Sequence, residues 1–393
     1  NQQVMQWLPL LVWMVCAAAG HFLLQHYLPQ RDPILFPLAM FLSGWGLVVI
    51  DRLAPYFADR QAIWLVASVA AMGLTATLPH LIRWLKDYRY LLLIGGLVLL
   101  VSTIIFGTNP SGEELAPQLW LGFGGLYFQP SEALKVILVA FLASYLAEQY
   151  PILRAEGLEL DQRWLPFSPR IMGPILLMWG LCVVVLVWQR DLGTAMLFFI
   201  VFLVLLYIAS GYTLILVSGA VLTGIAGFVG YHLFDVVQLR IDIWLNPWLE
   251  AEGRAYQIVQ SLMAFASGGV FGQGVGQGLP TLIPVVHSDF VFAAVSEEWG
   301  LLGSLVVVIC FIVLVTRGLR ISTLHQEKPF YALFAVGLSM LIATQGLLIM
   351  GGVLKLVPLT GVTLPFMSYG GSSLLMTFVI LGLLLRLSTG EQA

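Results

Sequence analysis

Apolar runs of about 17–25 residues, each long enough to cross the hydrocarbon core of a bilayer, recur along almost the whole chain. They fall at approximately 6–25, 33–50, 62–80, 90–107, 131–148, 171–188, 193–209, 213–234, 289–316, 330–350 and 363–386. In lipid every backbone N–H and C=O must be bonded within the protein, which open strands cannot achieve. The runs therefore read as eleven transmembrane helices, and the chain as an all-α polytopic membrane protein. Composition excludes the soluble alternative: 59% of the 393 residues are hydrophobic and 10% are charged, against about 25% charged in soluble domains.

Basic residues beside the spans set the expected orientation. With the C-terminus cytoplasmic, the inner loops hold eleven: Arg31, Arg83, Lys86, Arg89, Arg154, Arg163, Arg170, Arg317, Arg320, Lys328 and Arg386. The outer side holds six: Arg52, Arg60, Arg190, Arg240, Arg254 and Lys355. The net charge of −3 says little by itself. Cys16, Cys182 and Cys310 all lie in apolar runs without a CxxC pair. They read as small buried hydrophobes, which excludes a disulfide framework and a thiolate metal site. The chain begins with Asn and shows no signal-peptide pattern, so native N-terminal sequence is expected to precede it.

One connection, 235–288, is far longer than the rest, and loops of that length are usually functional or disordered. Its segment NPWLEAEGRAYQIVQSLMAFASGG is not low-complexity. It contains an amphipathic piece at 255–267, with Gln257, Gln260 and Ser261 on one side and Ile258, Leu262 and Phe265 on the other. The loop is expected to fold on the outer membrane surface. No internal repeat is evident, which counts against a repeat-built transporter.

Polar groups in or beside membrane spans are functional candidates by default, and five clusters qualify. In FQPSEALK, 128–135, Ser131 is a candidate N-cap, and Glu132 and Lys135 share a helix face. They read either as a structural ion pair or as a lysine presented to an anionic substrate. In WQRDLGTA, 188–195, Arg190 and Asp191 interrupt two spans, and a solvated tight turn would also explain them. The glycine series GGVFGQGVGQG, 268–278, matches neither nucleotide fingerprint and reads as a turned external loop. In VVHSDFVFAAVSEEWG, 285–300, Ser288 could cap a helix whose first turn carries Asp289. Asp289 and Glu297 are displaced by about 80° around a helix, so they are not a coplanar pair. PFMSYGGSSLL, 365–375, reads as a small-residue packing interface or a backbone-lined polar cavity. Four of the clusters fall on the outer side and FQPSEALK sits at the outer end of its span. That convergence points to a shared cavity open to the outside.

These motifs, in this order, resemble the SEDS family (shape, elongation, division and sporulation), the RodA- and FtsW-like membrane proteins, over roughly residues 33–388. The resemblance implies a ten-helix core at 29–393, with 235–288 as a large external loop between core helices 7 and 8. Residues 1–28 would form an extra N-terminal transmembrane helix. It further implies a peptidoglycan glycosyltransferase of the bacterial cytoplasmic membrane, working on the extracytoplasmic side in elongation or division. Such an enzyme polymerises lipid II beside a class B penicillin-binding protein, with no nucleic acid involved. Asp289 matches the family's essential aspartate, Glu132 and Lys135 its QPSE-x-x-K pair, Asp191 its QPDLG aspartate, and Ser368 to Ser373 its terminal SYGGSS signature.

The expected catalytic residue is Asp289, with Glu132, Lys135, Arg190, Asp191, Arg254, His287, Lys355, Ser368 and Ser372 as substrate-binding residues. A divalent cation, Mg²⁺ or Mn²⁺, is expected with the substrate diphosphate, Asp289 being its candidate ligand. The chain departs from the family pattern at Arg190 for proline, Leu119 for arginine and Glu250 for aspartate. Competing readings are a lipid II flippase and a scaffold for the transpeptidase.

Overall fold

In a computed structural model, the protein is described over residues 7–109, 118–123, 126–159 and 169–390, by backbone alone at 150–159 and several positions of 169–185. The side chains of Arg154, Arg163, Arg170 and Cys182 lie outside the described set. Fourteen α-helices are described: α1 Leu8–Tyr27, α2 Leu35–Leu53, α3 Pro55–Thr77, α4 Leu81–Asp87, α5 Arg89–Phe106, α6 Pro130–Glu159, α7 Pro169–Trp188, α8 Leu192–Ser210, α9 Leu214–Leu233, α10 Asp235–Leu245, α11 Tyr256–Gly268, α12 Val291–Thr323, α13 Pro329–Val353 and α14 Gly371–Ser388. A two-stranded antiparallel hairpin, β1 Leu121–Phe123 with β2 Leu126–Phe128, pairs Leu121 with Phe128 ahead of α6.

Each of the eleven expected spans overlaps one of these helices. Among the described residues nine are long and apolar enough to cross a membrane, and a tenth arises if α3 and α4 count as one broken span. The protein is thus an all-α polytopic membrane protein. The expected start of the last span is corrected. Residues 363–370 are turns and coil, and α14 begins only at Gly371, because the SYGGSS segment makes side-chain and backbone bonds that compete with a helix.

The described residues form two compact units. One holds Asn1–Thr77, Ala226–Arg317 and Ile342–Leu385, and the other Leu78–Ile225, Gly318–Leu341 and Arg386–Ala393. In the first, Leu47, Ile50 and Ala58 pack with Trp13, Phe57 and Tyr369. In the second, α6 is the central post: residues 130–149 are 83% buried, against 22% for α5. Gly96 of α5 lets Leu134 and Ile137 of α6 approach closely, and Gly337 of α13 does the same for Val139. Without a hydrophobic drive between helices in lipid, such small residues permit the close packing that holds them. Exposed leucines, valines and phenylalanines on α1, α5 and α9 form the apolar outer faces suited to acyl chains.

Helix ends follow local chemistry. Asp191 caps α8 by accepting from the Thr194 N–H at 3.1 Å, and Gly211, at φ +81°, closes it. The expectation of Ser131 as an N-cap is corrected: α6 starts at Pro130, the position where a missing N–H costs least, and the Ser131 hydroxyl donates to Asp191. In α12 the apolar run 289–316 becomes two helical pieces joined at Gly300, where φ is +66°. The break admits the glycine loop: Leu301 N–H donates to Gly269 C=O at 2.9 Å and Leu302 N–H to Val270 C=O at 3.2 Å. A β-carbon on Gly300 would overlap the Gly272 N–H and Val270 backbone.

Candidate active site

The long connection is folded, as its sequence suggests. Its amphipathic piece is α11, but Ser261 is fully buried with Ile258, whereas Gln257 and Gln260 are half-buried. Its hydroxyl satisfies the Val353 carbonyl at the end of α13, at 3.1 Å, which lets a polar side chain sit on the packed face. Against this packed face α10, the end of α13 and the residues before α12 enclose a cavity of about 270 Å³.

Asp289 lines that cavity together with Arg240, Arg254 and Lys355. The aspartate precedes α12 rather than lying in its first turn, so the capping reading is corrected: the Ala293 and Ala294 amides bond to the Phe290 carbonyl. The Ser288 hydroxyl donates to Asp289 Oδ1 at 2.8 Å. Burial raises the Asp289 carboxyl above its ordinary range, opposed by the Ser288 hydrogen bond and by the positive charge of Arg240. A β-carbon on Gly361 would stand 3.7 Å from Asp289 Oδ2 and 3.9 Å from Arg240 Nη2. Those are ordinary contacts, so it is the backbone, at φ +74°, that favours glycine there.

The cations are held by backbone carbonyls. Arg240 donates to Thr360 O at 3.3 Å and Lys355 to Leu245 O at 3.3 Å. Lys355 has φ +60°, and its own carbonyl accepts from the Trp244 indole at 3.1 Å. Arg254 makes a two-pronged bond to Glu250 at 2.7 and 2.6 Å, and the guanidinium beside it lowers the Glu250 carboxyl. Glu250, one of the departures from the family pattern, thus has a partner at the cavity rim.

The terminal signature supports Asp289 from behind. Ser368 donates to the Ser288 carbonyl and accepts from the Leu364 N–H at 2.9 Å. Tyr369 N–H donates to the His287 carbonyl at 2.8 Å, and Gln61 donates to the Ser368 carbonyl at 3.1 Å. The His287 ring stacks on Phe57, centroids 4.6 Å apart, and burial lowers its pKa. Ser372 is buried. His287, Ser368 and Ser372 do not line the Asp289 cavity.

A second cluster belongs to the other unit. Lys135 donates to Glu132 Oε1 at 2.7 Å, and both side chains are buried in α6. One turn earlier, Gln129 and Ser131 donate to Asp191 Oδ2 at 3.2 and 3.4 Å. Arg190 is exposed, at φ +63°, in the tight turn before α8. The structure thus joins the FQPSEALK and QRDLG motifs into one polar knot.

Arg240 is the cavity residue that sequence reading missed as a site member. It counted only as an outer basic residue, although its i,i+4 spacing with Trp244 placed both on one face of α10. As for a metal, no group of three His, Cys, Asp or Glu side chains that could hold one occurs among the described residues. Asp289 is the one carboxylate among the described residues that line the cavity, beside three cations. This donor set does not fit a protein-held divalent ion.

The model of the FtsW, RodA and SpoVE cell cycle proteins matches residues 34–393. The chain belongs to this family. Within it, the chain is 36% identical over 392 residues to the peptidoglycan glycosyltransferase RodA of Mycobacterium tuberculosis, covering 97% of this chain and 83% of that protein. An FtsW protein of Geobacter metallireducens is 31% identical over 373 residues, covering 92% and 95%. The fold matches a chain from a peptidoglycan synthase complex solved for its structural coordination of polymerization and crosslinking, at TM-score 0.74 and 26% identity, covering 91% of this chain and 97% of the other. The family match starts at residue 34, beyond α1.

Proposed function

We propose that this FtsW/RodA-family protein is a peptidoglycan glycosyltransferase that transfers a growing glycan from its polyprenyl diphosphate to the GlcNAc 4-hydroxyl of lipid II. The observation that carries the mechanism is Asp289 lining a cavity with Arg240, Arg254 and Lys355. The acceptor oxygen bonds to the donor's anomeric carbon as the bond from that carbon to the diphosphate oxygen breaks. Asp289 takes the hydroxyl proton, and the diphosphate leaves with the bonding electron pair. Attack opposite the leaving group inverts the centre and gives the β-1,4 linkage.

Diphosphate is a good leaving group, so a second carboxylic acid to protonate it is unnecessary, unlike the usual glycosidase pair. A positioned base contributes about 10²–10⁴-fold, and burial strengthens Asp289 as a base by raising its pKa towards the working pH. Arg240 and Lys355 offset charge developing on the diphosphate. Arg254, already bonded to Glu250, is available at the rim. Lys135 and Glu132 form an ion pair, and we assign them, with Asp191, to holding the second polar cluster in shape. A divalent ion enters this reading as one carried by the substrate diphosphate, because the cavity supplies a single carboxylate.

The basic-residue distribution supports a cavity on the extracytoplasmic side of the cytoplasmic membrane and a cytoplasmic C-terminus. The likeness to a chain of a peptidoglycan synthase complex supports a class B penicillin-binding protein as cross-linking partner. The test is purified protein with lipid II as the only sugar substrate and no other glycosyltransferase. Glycan chains on a gel are expected from the wild type and not from Asp289→Asn. Wild-type protein that moves lipid II across vesicles without lengthening it would overturn the reading in favour of transport. Inactivity of both proteins in either assay would leave only the scaffold.

A further inference from the structure

We infer that the second unit carries a binding site for the phosphate headgroup of an acidic phospholipid, partway along α6 and remote from the Glu132 cluster. A cavity of about 350 Å³ lies there, lined by Arg83 and Lys86 of α4, Ser144 and Glu148 of α6, and Lys328 with Tyr331 at the start of α13. Ser144 stands twelve residues beyond Glu132 on α6, a rise of about 18 Å along the helix. The pocket is therefore separate from the polar knot of FQPSEALK and QRDLG.

Its charge is one-sided. Glu148 is the one carboxylate among the described residues that line it, and it already accepts from Arg89 at 2.5 Å. Arg89 also donates to Ser144 at 2.8 Å, and the Ser144 hydroxyl donates to the Lys86 carbonyl at 3.4 Å, which ties α4 to α6. Lys86 and Lys328, with Arg83 also in the lining, then border a space whose one described acid is already bonded to Arg89. Both lysines lie against aromatic faces: the Lys86 ammonium is 5.8 Å from the Phe330 ring centre and that of Lys328 is 5.9 Å from Tyr331. Those contacts hold long, flexible side chains towards the cavity.

A separate observation indicates a lipid rather than a soluble anion. Trp84 and Tyr88, flanking the same basic residues, are more than half exposed. Exposed Trp and Tyr at a span end mark the headgroup level, where their rings sit half in hydrocarbon and half in water. The exposed apolar face of α5, including Leu91, Ile94 and Val98, runs away from that level. A lipid with its phosphate between Lys86 and Lys328 could lay its acyl chains along that face. Basic pockets between membrane helices are the known chemistry for such headgroups, each Lys or Arg being worth roughly a factor of five in binding.

The test uses the full chain in detergent, with bound cardiolipin measured by native mass spectrometry against neutral phosphatidylcholine. Lys86→Gln with Lys328→Gln is expected to weaken cardiolipin binding about tenfold or more, since two cations are lost. Lys86→Arg with Lys328→Arg should retain it, and lipid II polymerisation by these variants in neutral lipid reports that they are folded. Equal cardiolipin retention by wild type and the glutamine variant overturns the proposal. So does inorganic phosphate displacing cardiolipin at low millimolar concentration, which would assign the pocket to a soluble anion. Selective retention of cardiolipin by the wild type and arginine variant alone supports it.

Discussion

Asp289 and Glu298 stand nine residues apart in one short stretch, and the fold treats them in opposite ways. Glu298 is buried and ion-paired with Arg52. Its main-chain carbonyl also accepts from the Gly274 N–H at 3.0 Å, and neighbouring Glu297 accepts from the Leu279 N–H at 2.9 Å. Arg52 donates to the Gly278 carbonyl at 3.2 Å, so this acidic pair fastens the glycine loop to the broken helix α12. Asp289 instead faces an open cavity, with one hydroxyl donor and three cations around the space. In a membrane protein a charge committed to one tight partner builds structure. A charge left facing a cavity is held ready for a ligand.

The largest expected effect separates the two directly. Asp289→Asn should reduce lipid II polymerisation by about 10²–10⁴-fold, the share of a positioned base. Its stability should move the other way. Burial raises the folded-state pKa of Asp289, so the folded protein favours the protonated form. That preference stabilises the fold below the unfolded aspartate pKa, and the advantage is lost as pH rises through the folded value. Above that folded value the charged aspartate therefore weakens the fold. The asparagine variant should melt at an equal or higher temperature there, with the gain disappearing in acid. A lower melting temperature at neutral pH would make Asp289 structural, like Glu298.

Glu298→Gln is the counter-experiment. Removing Glu298's charge weakens the pairing of a partly exposed Arg52 that still has Glu297 beside it, at a cost of about 1–3 kcal/mol. Thermal midpoint in detergent should fall, while the fraction that stays folded keeps its polymerase activity. Arg52→Met combined with Glu298→Met should recover much of the loss, because it removes both charges together.

Much of this was legible in the sequence, for reasons that differ by residue. Spans could be read because hydrocarbon demands long apolar runs, and ordered motifs made the family visible. Asp289 could be singled out because a carboxylate beside apolar residues is rare. The break at Gly300 could not be read, since Trp299-Gly300-Leu301 looks like ordinary helix until the glycine loop arrives against it. Ser261 was misjudged because a polar residue looks solvent-facing unless its acceptor, the distant Val353 carbonyl, is known. Arg240 was hidden for the same reason: its relation to Asp289 passes through Gly361, over a hundred residues away in sequence.

Arg240→Gln sharpens the comparison from the cation's side. Loss of one preorganised positive group facing developing diphosphate charge should lower kcat about 10²-fold. The pH profile gives a second signature. Arg240 pulls the Asp289 pKa down against the effect of burial, so its removal lets that pKa rise further. Because the base must be ionised, the acid limb of the activity profile should shift to higher pH, and part of the lost rate should return in alkaline buffer. An unshifted limb would mean that Arg240 does not tune Asp289.

The smallest effect tests how Asp289 is aimed. Ser368 links two backbone groups, donating to Ser288 O and accepting from Leu364 N–H, without lining the cavity. Ser368→Ala leaves both groups without that partner and should cost about 1–2 kcal/mol of stability. If Ser368 is a positioning residue, kcat should fall several-fold with little change in KM, since the substrate contacts remain while the base drifts. Ser368→Thr keeps the hydroxyl and should restore kcat. A purely structural role would lower the melting temperature in the alanine variant and leave the kcat of the folded protein unchanged. Asp289 would then owe its direction to the Ser288 hydroxyl alone.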